Sequence, residues 1–246
     1  MTARIAALYR HPIKAIGREE VDEVDLIAGQ TLPGDRRWAV AHEVANLQDG
    51  AWNRCVNFIR GASSPKLMAV TLRTEGDRLH LSHPDRPDLF IDPATDEERL
   101  IRWVAPLVAE GRAAPTALVP APADRGLTDT PDATISLASL ASHQAVADKA
   151  AAPFEVHRWR CNIFVDGLTA WEEFDWVDRT IRLGEAEARV TFRIDRCMAT
   201  TANTDTGERD VPTLEILDGF GHQDFSVALV VTKGGALRVG DEVAPL

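Results

Sequence analysis

The stretch Val190–Gly207, VTFRIDRCMATTANTDTG, brings together the residue types best suited to chemistry. Val190, Phe192 and Ile194 alternate with polar residues, the period of a half-buried strand. The run reaches Asp195, Arg196 and Cys197, then gives way to Thr200, Thr201, Asn203, Thr204, Asp205, Thr206 and Gly207. A strand thus delivers a thiol, flanked by a fixed positive charge, into a loop rich in hydroxyls. A neighbouring guanidinium lowers a thiol's pKa, and the thiolate is the form that attacks electrophiles or binds a soft metal. The same residues also suit a small buried cysteine at a strand end, and this stretch by itself leaves both readings open.

A second polar set lies upstream. Arg160 and Asn162 are spaced i and i+2, so on a strand both side chains face one way. An arginine and an asparagine on one face of an apolar strand need buried partners or a ligand. A planar guanidinium makes two hydrogen bonds at once to a phosphate, and an amide offers donor and acceptor to a heterocycle edge. The structural alternative is an ion pair of Arg160 with Asp166 or Glu173. Near the N-terminus, Pro33-Gly34-Asp35 forms a turn that presents Arg36 and Arg37. Gly126 to Pro131 is another polar turn, carrying Thr128, Asp129 and Thr130.

The elements that must position these groups read mostly as strands. Residues 4–10 form one, Val21 to Leu26 a second and Trp38 to Ala41 a third. Lys66–Arg73, Arg78–Leu81 and Asp88–Ile91 suggest a meander, with His80 and His83 astride a turn. Thr95 to Val104 reads as a helix, with Thr95 as its cap and Glu98 closing a capping box. Ile135-Ser136-Leu137 reads as a strand or entry segment, and Ser136 to about Lys149 as a second helix. Phe225–Val231 is a buried strand. Together they predict a mainly β protein with a few helices (α+β). A soft boundary falls in the Pro/Ala-rich segment 111–122, dividing a β-rich domain 1–118 from a second domain 119–246.

Composition bounds the function. The 246 residues carry a formal net charge of −11, with a pI of about 5.1. That balance argues against nucleic acid and anionic membranes as partners. No apolar run approaches the ~20 residues that span a bilayer. Cys55, Cys161 and Cys197 cannot all pair, and no secretory segment is seen, which points to reduced thiols in the cytoplasm. Cys55 reads as a core or an inert residue and Cys161 as packing. No C-x-x-C, HExxH or Gly-x-Gly-x-x-Gly pattern occurs.

Six pieces in order carry a family resemblance: Arg160-Cys161-Asn162-Ile163, Gly167, Glu173-Phe174-Asp175-Trp176, Ile181-Arg182-Leu183-Gly184, Arg196-Cys197 through Thr206-Gly207, and Val239-Gly240-Asp241-Glu242-Val243. From about Phe154 onward the chain resembles the MOSC family, named for the C-terminal domain of molybdenum cofactor sulfurase. The earlier half resembles the β-barrel-like domain that precedes MOSC in amidoxime-reducing members. The resemblance implies a MOSC β-barrel and a bound molybdenum cofactor with Cys197 on the metal. Lys14, Arg36, Arg160 and Arg196 are implied to hold the phosphate end. Thr128, Asp129, Thr130, Asn162 and Asp195 are implied to line the cofactor site. Ala15 departs from the serine that many relatives carry after the lysine, and Cys161 stands where relatives often have proline. The implied activity is reduction of N-hydroxylated compounds such as amidoximes, hydroxylamines and N-hydroxylated bases. Electrons would come from a separate protein: a ferredoxin, a cytochrome b5-like protein or a flavin reductase. Two alternatives need less: a sulfur carrier using a Cys197 persulfide, or a non-catalytic carrier of the cofactor. Lys14 and Arg36 favour a phosphate-bearing cofactor over bare sulfur transfer.

Overall fold

A computed structural model of the chain describes residues 2–151 and 153–246. The first strands are β1 (Ala3–Arg10), β2 (Glu19–Val21), β3 (Glu23–Leu26) and β4 (Trp38–His42). β5 (Thr71–Glu75), β6 (Arg78–His83), β7 (Arg86–Ile91), α1 (Glu97–Val104) and β8 (Pro115–Pro120) complete the N-terminal half. The second half runs β9 (Ile135–Ser139), α2 (Leu140–Ala150), β10 (Ile163–Asp166), β11 (Thr180–Leu183) and β12 (Ala186–Asp195). It ends with α3 (Thr213–Asp218), β13 (Asp224–Lys233), β14 (Gly235–Arg238) and β15 (Glu242–Pro245). The protein is therefore mainly β with a few helices.

Seven strands close a barrel in the order β10-β9-β13-β12-β11-β15-β1, with β1 returning to β10. Closure removes the exposed strand edges an open sheet would present. β9 and β10 run parallel, which a hairpin cannot achieve, and α2 supplies the crossover between them. Ile5, Leu137, Val165, Val190 and Leu229 fill the interior. Each such buried side chain contributes about 1.5–3 kcal/mol. The opening strand of the chain thus belongs to the barrel of the later half, and β3 pairs with β14. The remaining N-terminal strands form the β5-β6-β7 meander and the β4–β8 pair. With α1 they share a separate core that includes Ile13, Val40, Leu81, Leu100 and Trp103.

Three expectations are corrected here. Residues 136–139 lie in β9, and the helix starts only at Leu140, because the Ser139 hydroxyl caps it by accepting from the Ala141 N–H. Helix α1 starts at Glu97 after Asp96, without a Thr95 capping box: an Asp92–Asp96 turn engages Asp96 instead. His80 and His83 both sit on β6 rather than across a turn, and His83 is buried, with Nε2 3.1 Å from the Lys66 carbonyl oxygen.

Candidate cofactor site

Cavity residues arrive from both halves because β1 ends at the barrel mouth and the chain then turns into the N-terminal domain. The turn after β1 carries Lys14, whose backbone N–H donates to the Trp38 carbonyl at 2.7 Å, joining it to the start of β4. The Gly34-Asp35-Arg36 turn lies alongside, with the Arg36 N–H on the His11 carbonyl at 2.8 Å. From the barrel come the end of β12, the loop that follows it, and the residues just before β10. Between them lies a cavity of about 440 Å³, lined by Lys14, Arg36, Arg160, Asn162, Asp195 and Cys197 among others. Irregular pairing of β12 with β13 near Val190/Phe192 and Arg193/Asp195 turns the strand end, so Phe192, Ile194 and Asp195 all face this space. Cys197 follows, exposed.

The cavity is cationic inside an acidic protein. Lys14, Arg36, Arg60, Arg158, Arg160 and Arg196 line it, against Asp129 and Asp195. Lys14 is buried, and its Nζ donates to the Leu127 carbonyl at 2.8 Å and to Asp129 at 2.5 Å. Burial pulls the Lys14 pKa below its ordinary value, with Asp129 opposing. Arg36 donates to the buried Asp35 carboxylate, which also accepts the His11 N–H at 2.7 Å. Burial disfavours the Arg36 charge, but Asp35 outweighs it and the Arg36 pKa rises. Arg160 differs from both. Its Nη1 donates to the Gly17 carbonyl at 3.1 Å, while its Nη2 is buried with no partner. Burial and the Arg36 charge pull its pKa down to about 9. A guanidinium destabilised this far, with one nitrogen unsatisfied, is what an anion would stabilise.

Backbone strain collects at the same place. Ala15, Arg36 and Arg160 all line the cavity with positive φ, at 62°, 48° and 49°. Each such residue costs on the order of 1–3 kcal/mol and persists where its surroundings fix it. For Arg36 the fixing includes the Leu127 N–H, which donates to its carbonyl at 2.9 Å. Gly126 is essential to that approach, since a Cβ there would lie 2.2 Å from the Asp35 carbonyl oxygen.

The structure corrects two expectations about neighbours. Arg160 is not on a strand: it ends the 3-10 turn Val156–Trp159 in a left-handed conformation, and β10 begins only at Ile163. Asn162 is buried, and much of its amide is already used. Its Oδ1 accepts from the Ser136 N–H at 3.1 Å and hydroxyl at 3.0 Å, and its Nδ2 donates to the Tyr9 carbonyl at 3.2 Å. It clips β9 to the end of β1. Arg196, expected beside the Cys197 thiol, turns its guanidinium away. Nε donates to the Phe225 carbonyl at 2.9 Å, Nη1 to the Trp159 carbonyl at 3.1 Å, and Nη2 lies 3.3 Å from the Cys161 sulfur. Buried carbonyls need donors, and a long guanidinium can reach several of them at once.

Thr128, Asp129, Thr130 and Asp195 line the same cavity. The Thr128 hydroxyl is committed, accepting from Arg125 and donating to the Thr130 carbonyl, both at 3.1 Å. Sequence reasoning passed over Arg60, Arg125, Arg158, Met68 and the positioning carboxylate Asp35. It read Cys55 as core or inert, yet Cys55 is half-buried and lines the cavity. Only Asp35 had a sequence signal, as the residue beside Arg36 in the turn. Among the described residues no three His, Cys, Asp or Glu side chains cluster as a metal site. A metal held by Cys197 alone must bring its other ligands with it.

Residues 124–244 match the model of the MOSC domain, and residues 2–115 that of the MOSC N-terminal beta barrel domain. The chain belongs to the MOSC family. This MOSC chain is 25% identical to mitochondrial amidoxime reducing component 2 of Bos taurus, over 97% of its own length and 82% of the relative's. It is 24% identical to mitochondrial amidoxime-reducing component 1 of Homo sapiens, with the same coverage. Among solved structures, the YUAD protein of Bacillus subtilis aligns over 99% of this MOSC chain and 94% of its own, at 13% identity and a TM-score of 0.45.

Proposed function

We propose that this MOSC protein binds a molybdenum cofactor and reduces N-hydroxylated compounds. The observation that carries the reading is the unpartnered Arg160 Nη2, buried beside Lys14 and Arg36 in a cavity that also exposes Cys197. The donor set fits a ligand with an anionic phosphate at one end and a soft metal at the other. Lys14, Arg36 and Arg160 would hold the phosphate, and Cys197 sulfur would hold molybdenum. Bound there, the cofactor supplies two-electron chemistry. Asp35 and Asp129 fix the cations that meet the phosphate. Met68, Phe192 and Ile194 supply apolar wall near the reactive end. The names of the amidoxime-reducing relatives support the substrate class. Conversion of an amidoxime to an amidine consumes two electrons and two protons and releases water. A separate electron-transfer protein of the ferredoxin, cytochrome b5-like or flavin-reductase type would supply the electrons. The three free cysteines suit a reducing compartment, which we take to be the cytoplasm.

The test is reduction of benzamidoxime to benzamidine by molybdenum-loaded protein with reduced benzyl viologen as donor. Turnover that disappears in Cys197→Ser supports the reading. A loaded, folded protein that reduces no amidoxime, hydroxylamine or hydroxamate would leave a cofactor carrier.

A further inference from the structure

Arg60 is a cation that neither the cofactor reading nor the fold uses. It lines the cavity, and its residue is exposed. Among the described residues its guanidinium makes no hydrogen bond and no ion pair. Its carbonyl is engaged, by the Ser63 and Ser64 N–H groups at 3.1 and 2.9 Å and by the Ser63 hydroxyl at 3.2 Å. This differs from every other basic side chain around the cavity: Lys14, Arg36, Arg158, Arg160 and Arg196 each have protein partners.

The position of Arg60 is fixed at the Cys197 end. A Cβ on Gly61 would lie 2.6 Å from the Met68 sulfur and 3.5 Å from the Ala199 Cβ, so the chain passes closely over the loop that follows Cys197. Arg209 ties the two segments together. Its Nη2 donates to the Ala62 carbonyl at 2.7 Å, and its Nη1 reaches the Met198 carbonyl and the Thr201 hydroxyl. The cation group Lys14, Arg36 and Arg160 instead gathers at the 11–17, 35–36 and 127–129 turns. The cavity therefore has two separate positive regions. The first fits the cofactor's phosphate. The second comes from the segment that packs on the loop after Cys197, in a cavity whose lining also includes the apolar Met68, Phe192 and Ile194.

We propose that Arg60 selects N-hydroxylated substrates that carry a carboxylate or other anionic group, by pairing with that group while the apolar wall takes the body of the molecule. The inference rests on the reading above and names the substrate class for that site. An exposed arginine gives a modest effect, about twofold to fivefold in specificity, and one that weakens with salt.

The experiment compares benzamidoxime with 4-carboxybenzamidoxime, using reduced benzyl viologen so that no donor protein docks. The wild-type ratio of kcat/KM should favour the anionic compound about fivefold. Arg60→Lys should keep most of that preference, Arg60→Gln should abolish it, and Arg60→Glu should reverse it. Molybdenum content should be the same in all four proteins. In parallel, calorimetry measures binding of the unreactive pair benzamide and 4-carbamoylbenzoate. The anionic member should bind more tightly to wild type than to Arg60→Gln. An unchanged ratio in Arg60→Gln and Arg60→Glu would overturn the proposal and leave Arg60 to donor docking. Loss of molybdenum from Arg60→Gln would overturn it in favour of a cofactor contact. If the protein carries no molybdenum, the cofactor reading fails separately. Calorimetry then decides, and equal binding of 4-carbamoylbenzoate to wild type and Arg60→Gln overturns the proposal.

Discussion

Arg158 and Arg160 are two residues apart and line the same cavity, yet the protein treats them in opposite ways. Arg158 is 1% exposed and saturated: Nε meets Glu155 at 2.7 Å, while Nη1 and Nη2 meet Asp210 at 2.6 and 3.0 Å. Arg196, whose Nη1 meets the carbonyl of the intervening Trp159, is likewise consumed by backbone carbonyls. Arg160 has one backbone partner and an orphaned nitrogen. The first two arginines build the wall, and the third is left for a ligand. A count of arginines around a cavity therefore overstates its appetite for anions. What matters is which guanidinium lacks a carboxylate of its own, because a buried charge without a partner is costly until one binds.

The contrast can be broken most forcefully at Arg158. Arg158→Ala removes a fully buried side chain and its bonds to Asp210 and Glu155, and should destabilise the protein by about 2–3 kcal/mol, because both carboxylates stay partly solvated and Asp210 keeps Asn203 as a donor. Arg160→Gln should leave stability at pH 7 unchanged or raised. Urea titrations of both variants check this, and equal losses would erase the distinction. Asn162→Ala comes next. It leaves the Ser136 N–H and the Tyr9 carbonyl without their partner and should cost about 2 kcal/mol.

Inorganic phosphate gives a smaller and more specific effect. At about five times its dissociation constant it should stabilise wild type by about 1 kcal/mol, read as a rise in Tm, and Arg160→Gln should lose most of that gain. The pH dependence has a definite sign. The folded pKa of Arg160, about 9, lies well below its ordinary value, so the folded state is the first to release this proton as pH rises. The cost of the buried charge is present below about pH 9 and is relieved above it. Phosphate stabilisation should fade over the same interval.

The smallest effect at neutral pH belongs to His11, which faces Asp35, Arg36 and Arg160. Burial first, then Arg160, lowers its pKa to about 3 from 6.5. The unfolded chain therefore takes the proton first, and stability falls as pH drops from about 6.5 toward 3. Asp35, whose pKa is held low mainly by Arg36 against the effect of burial, adds loss in the same direction at lower pH. His11→Gln should match the wild-type slope at pH 7 and show a shallower fall below 6.5. Parallel curves down to pH 4 would show that His11 does not titrate in this way.

The strands were legible in the sequence because period-2 alternation survives where one face packs on a core, as in β5, β6 and β12. The closure of the barrel by β1 was not. It joins residues about 160 positions apart, Arg4 to Asp166 and Leu8 to Ile163, and no local pattern records such a pairing. At the site, Cys197 showed as a thiol at a strand end and Arg36 as a turn arginine, Lys14 entered only through the family resemblance, and the structure brings all three to one cavity. The Arg160–Asn162 spacing misled because residue 160 takes a left-handed conformation that ends a turn. Adjacency misled at Arg196–Cys197, because a long guanidinium follows buried carbonyls rather than its neighbour in the chain. Arg60 carried no signal at all: its meaning lies in lacking partners, which only the folded molecule shows.

The central claim is that the cavity holds a molybdenum cofactor through the Arg160 cluster and Cys197. Molybdenum by mass spectrometry and oxidised pterin by fluorescence, measured on protein from a cofactor-making host, test it most directly. Wild type should carry the two in near-equal and near-stoichiometric amounts. Cys197→Ser should lose molybdenum while remaining folded, and Arg160→Gln should lose both together. Well-folded wild type that contains neither molybdenum nor pterin would contradict the account.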